Sequence, residues 1–326
     1  MRRREFLTLL TGAMMSGPHT AGAQSSKTYR LGSLTPGAPL DPKSPLGSVL
    51  LKALEQRGFS VGKNLTYDAR AAGGQVAKLP ELVRGIKADG ADAIVAVGYP
   101  VTLACKFANV PTVVAFGAGE PVATRLIDGL ARPGGNVTGI SDNATTLSTK
   151  RLTLIQQAVP KLQRVAMLWN RQDLGMSLRY QTSADAARAL GATVMELGVR
   201  EPDDFNGVLE AMSKERPDAI LMVADSLTIL NRKRIFDFAG ERKIPALYEY
   251  DFLTRDGGLM SYGPDLKESY ERTADMVARI FKGARPADLP FEQPVRYPFV
   301  VNLKTAKATG IELPVNLVAL ADEVIE

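Results

Sequence analysis

The sequence predicts an α/β chain folded as two doubly wound parallel-sheet lobes, with a hinge and a cleft between them. Three observations carry that prediction. Short runs rich in Val, Ile and Leu alternate with stretches of helical periodicity from residue 29 to residue 261, and such alternation builds βαβ units with right-handed crossovers. The segment Ala91–Val97 is echoed by Pro217–Val223, and each is followed by a helix and a Pro-led strand, Val110–Val114 and Ile244–Tyr248; the echo reads as two similarly built lobes. The length beyond the first twenty-odd residues, about three hundred, suits two domains better than one small core.

Taken in order, the chain opens on Arg2-Arg3-Arg4-Glu5-Phe6-Leu7, continues through a short apolar stretch to Met15, and reaches Ala21-Gly22-Ala23. A basic start, an apolar middle and a small-residue end are the parts of a cleaved secretory signal, here 1–23. The paired arginines fit the twin-arginine variety. The expected product is periplasmic, with cleavage near Ala23. Candidate strands follow at Tyr29–Leu34, Leu65–Arg70, Ala93–Val97, Thr112–Phe116 and Val137–Ile140, bounded by Gly, Pro or Asp. The turn 132–136 and the stretch 141–146 then mark a crossing into the second lobe. Its candidate strands are Val165–Trp169, Thr193–Leu197, Ala219–Val223, Ala246–Tyr248 and Leu259–Ser261. Between them, Phe205, Val208, Leu209 and Met212 make a helical stripe, as do Leu266, Tyr270, Thr273, Val277 and Ile280.

Composition removes several chemistries. The one histidine, His19, lies in the segment predicted to be cleaved, so histidine bases, triads and histidine-ligated metals are not expected. The one cysteine, Cys105, reads as a buried core thiol on a helix. No cofactor and no metal are expected. The formal charge is +5, falling to +3 without the three arginines and one glutamate of the signal, and no basic run marks a nucleic-acid tract. No GxxxxGK[ST] loop occurs, so an ATPase would be a separate chain.

Ligands of open parallel sheets bind beyond the carboxyl ends of the strands. The loops at those ends supply the candidate ligand-binding residues Thr35, Pro36, Gly98, Tyr99, Thr102, Phe116 and Glu120 in the first lobe. In the second they supply Trp169, Asn170, Asp225, Ser226, Tyr248, Glu249 and Tyr262. The rings would sandwich a flat or apolar solute, with Tyr99, Trp169 and Tyr262 as stacking candidates. Helices beginning near Thr102 and Ser226 would favour a carboxylate, although both residues fit plain N-caps. Glu120, Asp225 and Glu249 would receive an ammonium group. Asp225 and Glu249 also suit a glycosidase carboxylate pair, but no Gly-x-Ser-x-Gly elbow accompanies them, and an enzyme is not the reading adopted.

Several longer strings now find a match. Arg3–Leu10, Arg57–Asn64, Arg132–Gly139, Gly257–Pro264, Phe281–Pro290, Asn302–Lys307 and Ala321–Glu326 resemble, in order and spacing, the periplasmic substrate-binding proteins of ABC transporters, nearest the branch that binds tryptophan and tyrosine. The resemblance implies a type I periplasmic-binding fold whose lobes are joined by several crossings. Lobe one would comprise 28–142 and 258–284, and lobe two 143–257 and 285–326. It also implies a monomer that closes on a small solute and delivers it to an ABC permease with separate ATPase subunits, and no nucleic-acid partner. A ligand sensor feeding a membrane receptor is the alternative. Gly98-Tyr99-Pro100 stands where relatives commonly carry a small Ser/Thr loop, and Glu120-Pro121 where Asp-Pro is usual, so the resemblance does not transfer a tryptophan specificity.

Overall fold

Short aliphatic runs and the amphipathic helices after them build two separate sheets in residues 27–326, the part of the chain that the computed structural model describes. The predicted signal and His19 lie outside the described residues. The first sheet takes β1 (Tyr29–Thr35), β2 (Leu65–Ala71), β3 (Ala93–Val97), β4 (Thr112–Phe116) and β5 (Val137–Gly139) in the order β2-β1-β3-β4-β5, all parallel. Helices α1 (Pro45–Gln56), α2 (Leu79–Ala88) and α3 (Tyr99–Ala108) make its crossovers. On α3, Cys105 is fully buried, and burial pushes its thiol up to about 12, which leaves it an unreactive core residue.

The second sheet follows α4 (Ala144–Ala158). Its strands are β6 (Arg164–Asn170), β7 (Thr193–Val199), β8 (Ala219–Met222), β9 (Ala246–Tyr248), β10 (Met260–Tyr262), β11 (Phe299–Asn302) and β12 (Glu323–Ile325), ordered β12-β11-β10-β9-β8-β6-β7. Interleaved are α5 (Leu174–Ala189), α6 (Asp204–Lys214), α7 (Ser226–Leu230), α8 (Arg232–Glu241), α9 (Asp251–Arg255), α10 (Leu266–Phe281), α11 (Leu303–Thr309) and α12 (Val315–Val318). The pairing of β10 with β11 is antiparallel and the other pairings are parallel. All ten predicted strands are present, three with the predicted bounds and seven with ends moved by one or two residues. Strands β11 and β12 were not among the expectations.

The chain crosses between lobes more than once. Helix α10 leaves the second sheet and packs its buried stripe against the first. Tyr270, Val277 and Phe281 join Leu50, Leu54 and Phe59 there, and the Phe281 ring stacks on Tyr29 at 4.7 Å. Leu266, at the start of the same helix, belongs to the second lobe's core. The stretch after α10 stays with the first lobe: Thr138 Oγ1 donates to the Leu289 carbonyl (2.8 Å), and Ile140 bridges Glu292. The lobe boundaries expected near 258 and 284 therefore move. Residues 260–262 hydrogen-bond between β9 and β11 in the second sheet, and the first lobe keeps the chain to about residue 292.

Candidate functional site

The carboxyl ends of both sheets face one cavity of about 360 Å³. From the first lobe come Thr35 and Pro36 after β1, Gly98 after β3, and Phe116 and Gly117 at the end of β4. From the second come Asp225, Ser226 and Ile229 after β8, and Tyr250 and Phe252 after β9. Tyr270 of the crossing helix completes the wall. Four rings make that wall continuous. Phe116 meets Tyr250 edge-on across the lobes (5.3 Å, 74°) and lies 6.1 Å from Tyr270, while Phe252 stacks on Tyr250 at 5.9 Å. Aromatic pairs in these geometries add about 0.5–1.5 kcal/mol beyond the area they bury.

Behind the rings lies a buried ion network. Arg179, on α5 and 1% exposed, donates from Nη1 to Glu249 Oε2 (2.7 Å) and from Nη2 to Asp142 Oδ2 (2.6 Å). Arg151, on α4, donates to Glu249 Oε1 (3.0 Å) and to the Tyr262 carbonyl (2.8 Å). The carboxylates in turn accept from cavity loops: Asp142 takes the Gly117 N–H (2.7 Å) and Glu249 the Ala224 N–H (3.0 Å). Burial works against charge on each group. Glu249 is nevertheless held below its ordinary value by the two arginines, and Arg179 well above its own by Glu249 and Asp142. Arg151, close to the Arg179 charge, is lowered by burial. The network thus fixes loops of both lobes to the first crossing, where Asp142 sits.

A second acidic pair includes one residue of the cavity wall, Asp225. Asp225 is the N-cap of α7, its Oδ1 accepting the Thr228 N–H (2.9 Å) and its Oδ2 the Asn170 amide (2.6 Å). Asp173 caps α5, accepting the Met176 N–H (3.1 Å). Burial raises both carboxyls; Asp173, with the Asp225 charge beside it, is pushed up to about 7.

Of the residues expected to bind ligand, the structure brings Thr35, Pro36, Gly98, Phe116, Asp225 and Ser226 to the cavity. It places the others elsewhere. Trp169 is flat against Tyr180 (3.6 Å, 3°) in the core under α5. Tyr248 is in the core, edge-on to Phe236. Tyr99 packs with Val114, Leu126 and Ile127, and Tyr262 against the second core. None of the three proposed stacking residues reaches the cavity; Phe116, Tyr250, Phe252 and Tyr270 supply the rings instead. Thr102 is fully buried and its hydroxyl donates to the Gly98 carbonyl (2.8 Å), as a helix-internal contact. Asn170 acts through Asp225. The Glu249 carboxylate accepts two arginines and a backbone N–H, which removes it as an ammonium receptor and as half of a carboxylate pair. Glu120 is outside the cavity wall, its carbonyl accepting from Thr124. Tyr250 and Phe252 lie in a loop the topology indicates, whereas Tyr270 reads from sequence only as part of a core stripe. Arg151 and Arg179 carried no sequence signal, because their partners lie 98, 70 and 37 residues away.

The lobes touch on two flanks of the cavity. Gly119 (φ +68°) lies against α5 so closely that a Cβ there would be 2.8 Å from Gly175 Cα, and a Cβ at Gly74 would be 3.3 Å from Leu230 Cδ1. The Cβ position of Gly175 lies 3.2 Å from Asp173 Oδ1 of the α5 cap and 3.4 Å from the Ala118 carbonyl and Tyr99 Cβ of the first lobe, so a side chain longer than alanine would meet the first lobe. Gly175→Leu is therefore expected to wedge the lobes apart. Overpacking costs about 1–3 kcal/mol, which converts to roughly 5- to 150-fold weaker solute binding if it falls on the closed form alone. Titration calorimetry checks this, and unchanged affinity would show that the contact does not limit closure.

Known proteins place this architecture. A family model described as ABC transporter substrate binding protein matches residues 46–325. The tyrosine-binding protein of Clostridioides difficile is 22% identical over 315 residues, covering 94% of this chain and 89% of that protein. A conserved domain protein from Vibrio cholerae superposes with a TM-score of 0.84 at 24% identity, over 91% of this chain and 100% of that one. An ABC domain from Streptococcus pneumonia in complex with L-Trp gives 0.81 at 22% identity, over 92% of this chain and 100% of its own.

Proposed function

The chain belongs to the family of ABC transporter substrate-binding proteins, and from that membership we propose that it captures one small, mainly apolar solute between its lobes and hands it unchanged to a membrane permease. The observation that carries this reading is the cavity walled by both sheets, with Phe116 of one lobe against Tyr250 of the other. A solute held there touches both lobes, and only a ligand with unequal affinity for two arrangements shifts their populations. The volume falls toward the small end of ligand pockets, which span about 300–1,000 Å³. Burying about 200 Å² of a flat solute supplies about 5 kcal/mol. Micromolar affinity needs about 8 kcal/mol, and a charge-assisted contact adds about 1.5–3 kcal/mol.

Under the same reading the segment 1–23 directs export to the periplasm, the permease and the ATPase are separate chains, and the binding protein works as a monomer without catalysis. The relatives that bind tyrosine or L-Trp support an amino-acid-sized solute.

The test is native mass spectrometry of the purified protein, followed by small-angle scattering of the stripped protein with whatever solute is recovered. One solute per chain, released intact, and a smaller radius of gyration on rebinding are the expected results. Unchanged scattering, or a recovered product chemically altered from what was added, counts against solute capture.

A further inference from the structure

We propose that the solute is a compact arylalkyl amine, carrying one positive charge and no carboxylate. The inference rests on the solute-capture reading and names the class of solute for the same cavity. Among the described residues the buried charged side chains are Asp142, Arg151, Asp173, Arg179, Asp225, Glu249 and Glu268. Glu268 faces Arg272 and Arg296. Of the remaining six, four are acids and two are arginines, and both arginines are spent on Asp142 and Glu249. Asp173 and Asp225 are left without a comparable cation, and Asp225 lines the cavity. Burial pushes both carboxyls up, and the Asp225 charge raises Asp173 further, while hydrogen bonds from Thr228 and Asn170 oppose the rise at Asp225. A cation at Asp225 relieves that arrangement, whereas an anion opposes it.

Two places where a carboxylate would be received, the start of α3 and Arg232, are already committed, and at the start of α7 the Asp225 carboxyl stands beside Ser226. Pro100, in the first turn of α3, has no N–H; the Gly98 N–H donates to the Phe116 carbonyl (2.9 Å), and the Thr102 hydroxyl turns back to Gly98. Arg232, at the cavity edge, pairs with Asp256 (2.7 Å) and donates to the Ile229 carbonyl (2.9 Å). Apart from Thr35, Ser226 and glycines, the rest of the wall is aromatic and aliphatic, which suits an aryl body.

Calorimetry on the stripped full-length protein tests this with three matched pairs: tryptamine against tryptophan, tyramine against tyrosine, and phenethylamine against phenylalanine. At least one amine is expected to bind ten times or more tightly than its amino acid and to release protons at pH 7 as Asp173 ionises. Asp225→Asn keeps an acceptor for the Thr228 N–H but loses the one for the Asn170 amide; it is expected to weaken that amine tenfold or more, with the melting temperature of the empty protein read alongside. Amino acids binding as tightly as their amines, or no amine binding at millimolar concentration, overturns the inference. An Asp225→Asn protein that melts normally and binds the amine as the wild type does also overturns it. Compaction with an amino acid would sink the amine class and leave solute capture standing; absence of compaction with the recovered solute would sink solute capture itself.

Discussion

Arg179→Met is expected to destabilise the protein by about 3–5 kcal/mol, the cost of leaving buried charges without their partner. Among the described residues, Arg179 is the one side chain that hydrogen-bonds to both Asp142 and Glu249, each 1–2% exposed. Its loss leaves Asp142 with backbone donors and the Tyr250 hydroxyl at 3.4 Å. Glu249 still has Arg151, so Arg151→Met should cost less than Arg179→Met. Lysine at 179 should rescue little, because a point charge does not span two carboxylates as a guanidinium fork does. The Arg179 Nε has no partner among the described residues, so the network is not an optimised source of stability; what it supplies is a fixed position for the loops at Gly117 and Ala224. Solute affinity should therefore fall along with stability. Denaturant midpoints of the three variants decide the matter. A loss under about 1 kcal/mol for Arg179→Met, or a larger one for Arg151→Met, contradicts the assigned roles.

Why such a network escaped the sequence reading follows from where its information lies. Strands were legible because a buried parallel strand is a continuous Val/Ile/Leu run with local boundaries, as at Ala93–Val97 and Ala219–Met222. Strand β12 is three half-buried residues with no such run, and β11 passes directly into α11 through Asn302. The cleft loops were legible because topology alone puts them at strand ends. Which side chain in a loop turns inward was not. Tyr248 and Tyr250 are two residues apart; the first ends a strand inside the core, and the second follows the strand and reaches the cavity. Trp169 faces α5 because β6 is covered there by Tyr180, a packing fact that one sequence does not encode locally. Ion pairs across 37 to 98 residues are further still from any local signal.

Asp173→Asn is expected to stabilise the protein at alkaline pH and to do so less as the pH falls. Burial holds the folded carboxyl at about 7, against an unfolded value of 3.8. Between those values the folded state keeps a proton that the unfolded state has released. The stability linked to that proton is complete below the unfolded value and is lost as pH rises through about 7. At about 1.36 kcal/mol per unit, the advantage of asparagine should widen by about 2–3 kcal/mol between pH 5 and pH 8. Asparagine keeps a side-chain oxygen for the Met176 N–H, so the α5 cap is not the variable. The charged or titratable groups facing Asp173 are Asp225, which raises it, Arg179, which lowers it, and Tyr99 across the lobe contact. Urea unfolding of both proteins at several pH values measures the difference. Parallel profiles would mean that Asp173 titrates normally and that no excess of buried negative charge awaits a solute. If the excess is real, saturating the wild type with a cationic solute should draw the Asp173 proton off and flatten its profile toward that of the variant, so that one titration reads both the buried acid and what neutralises it.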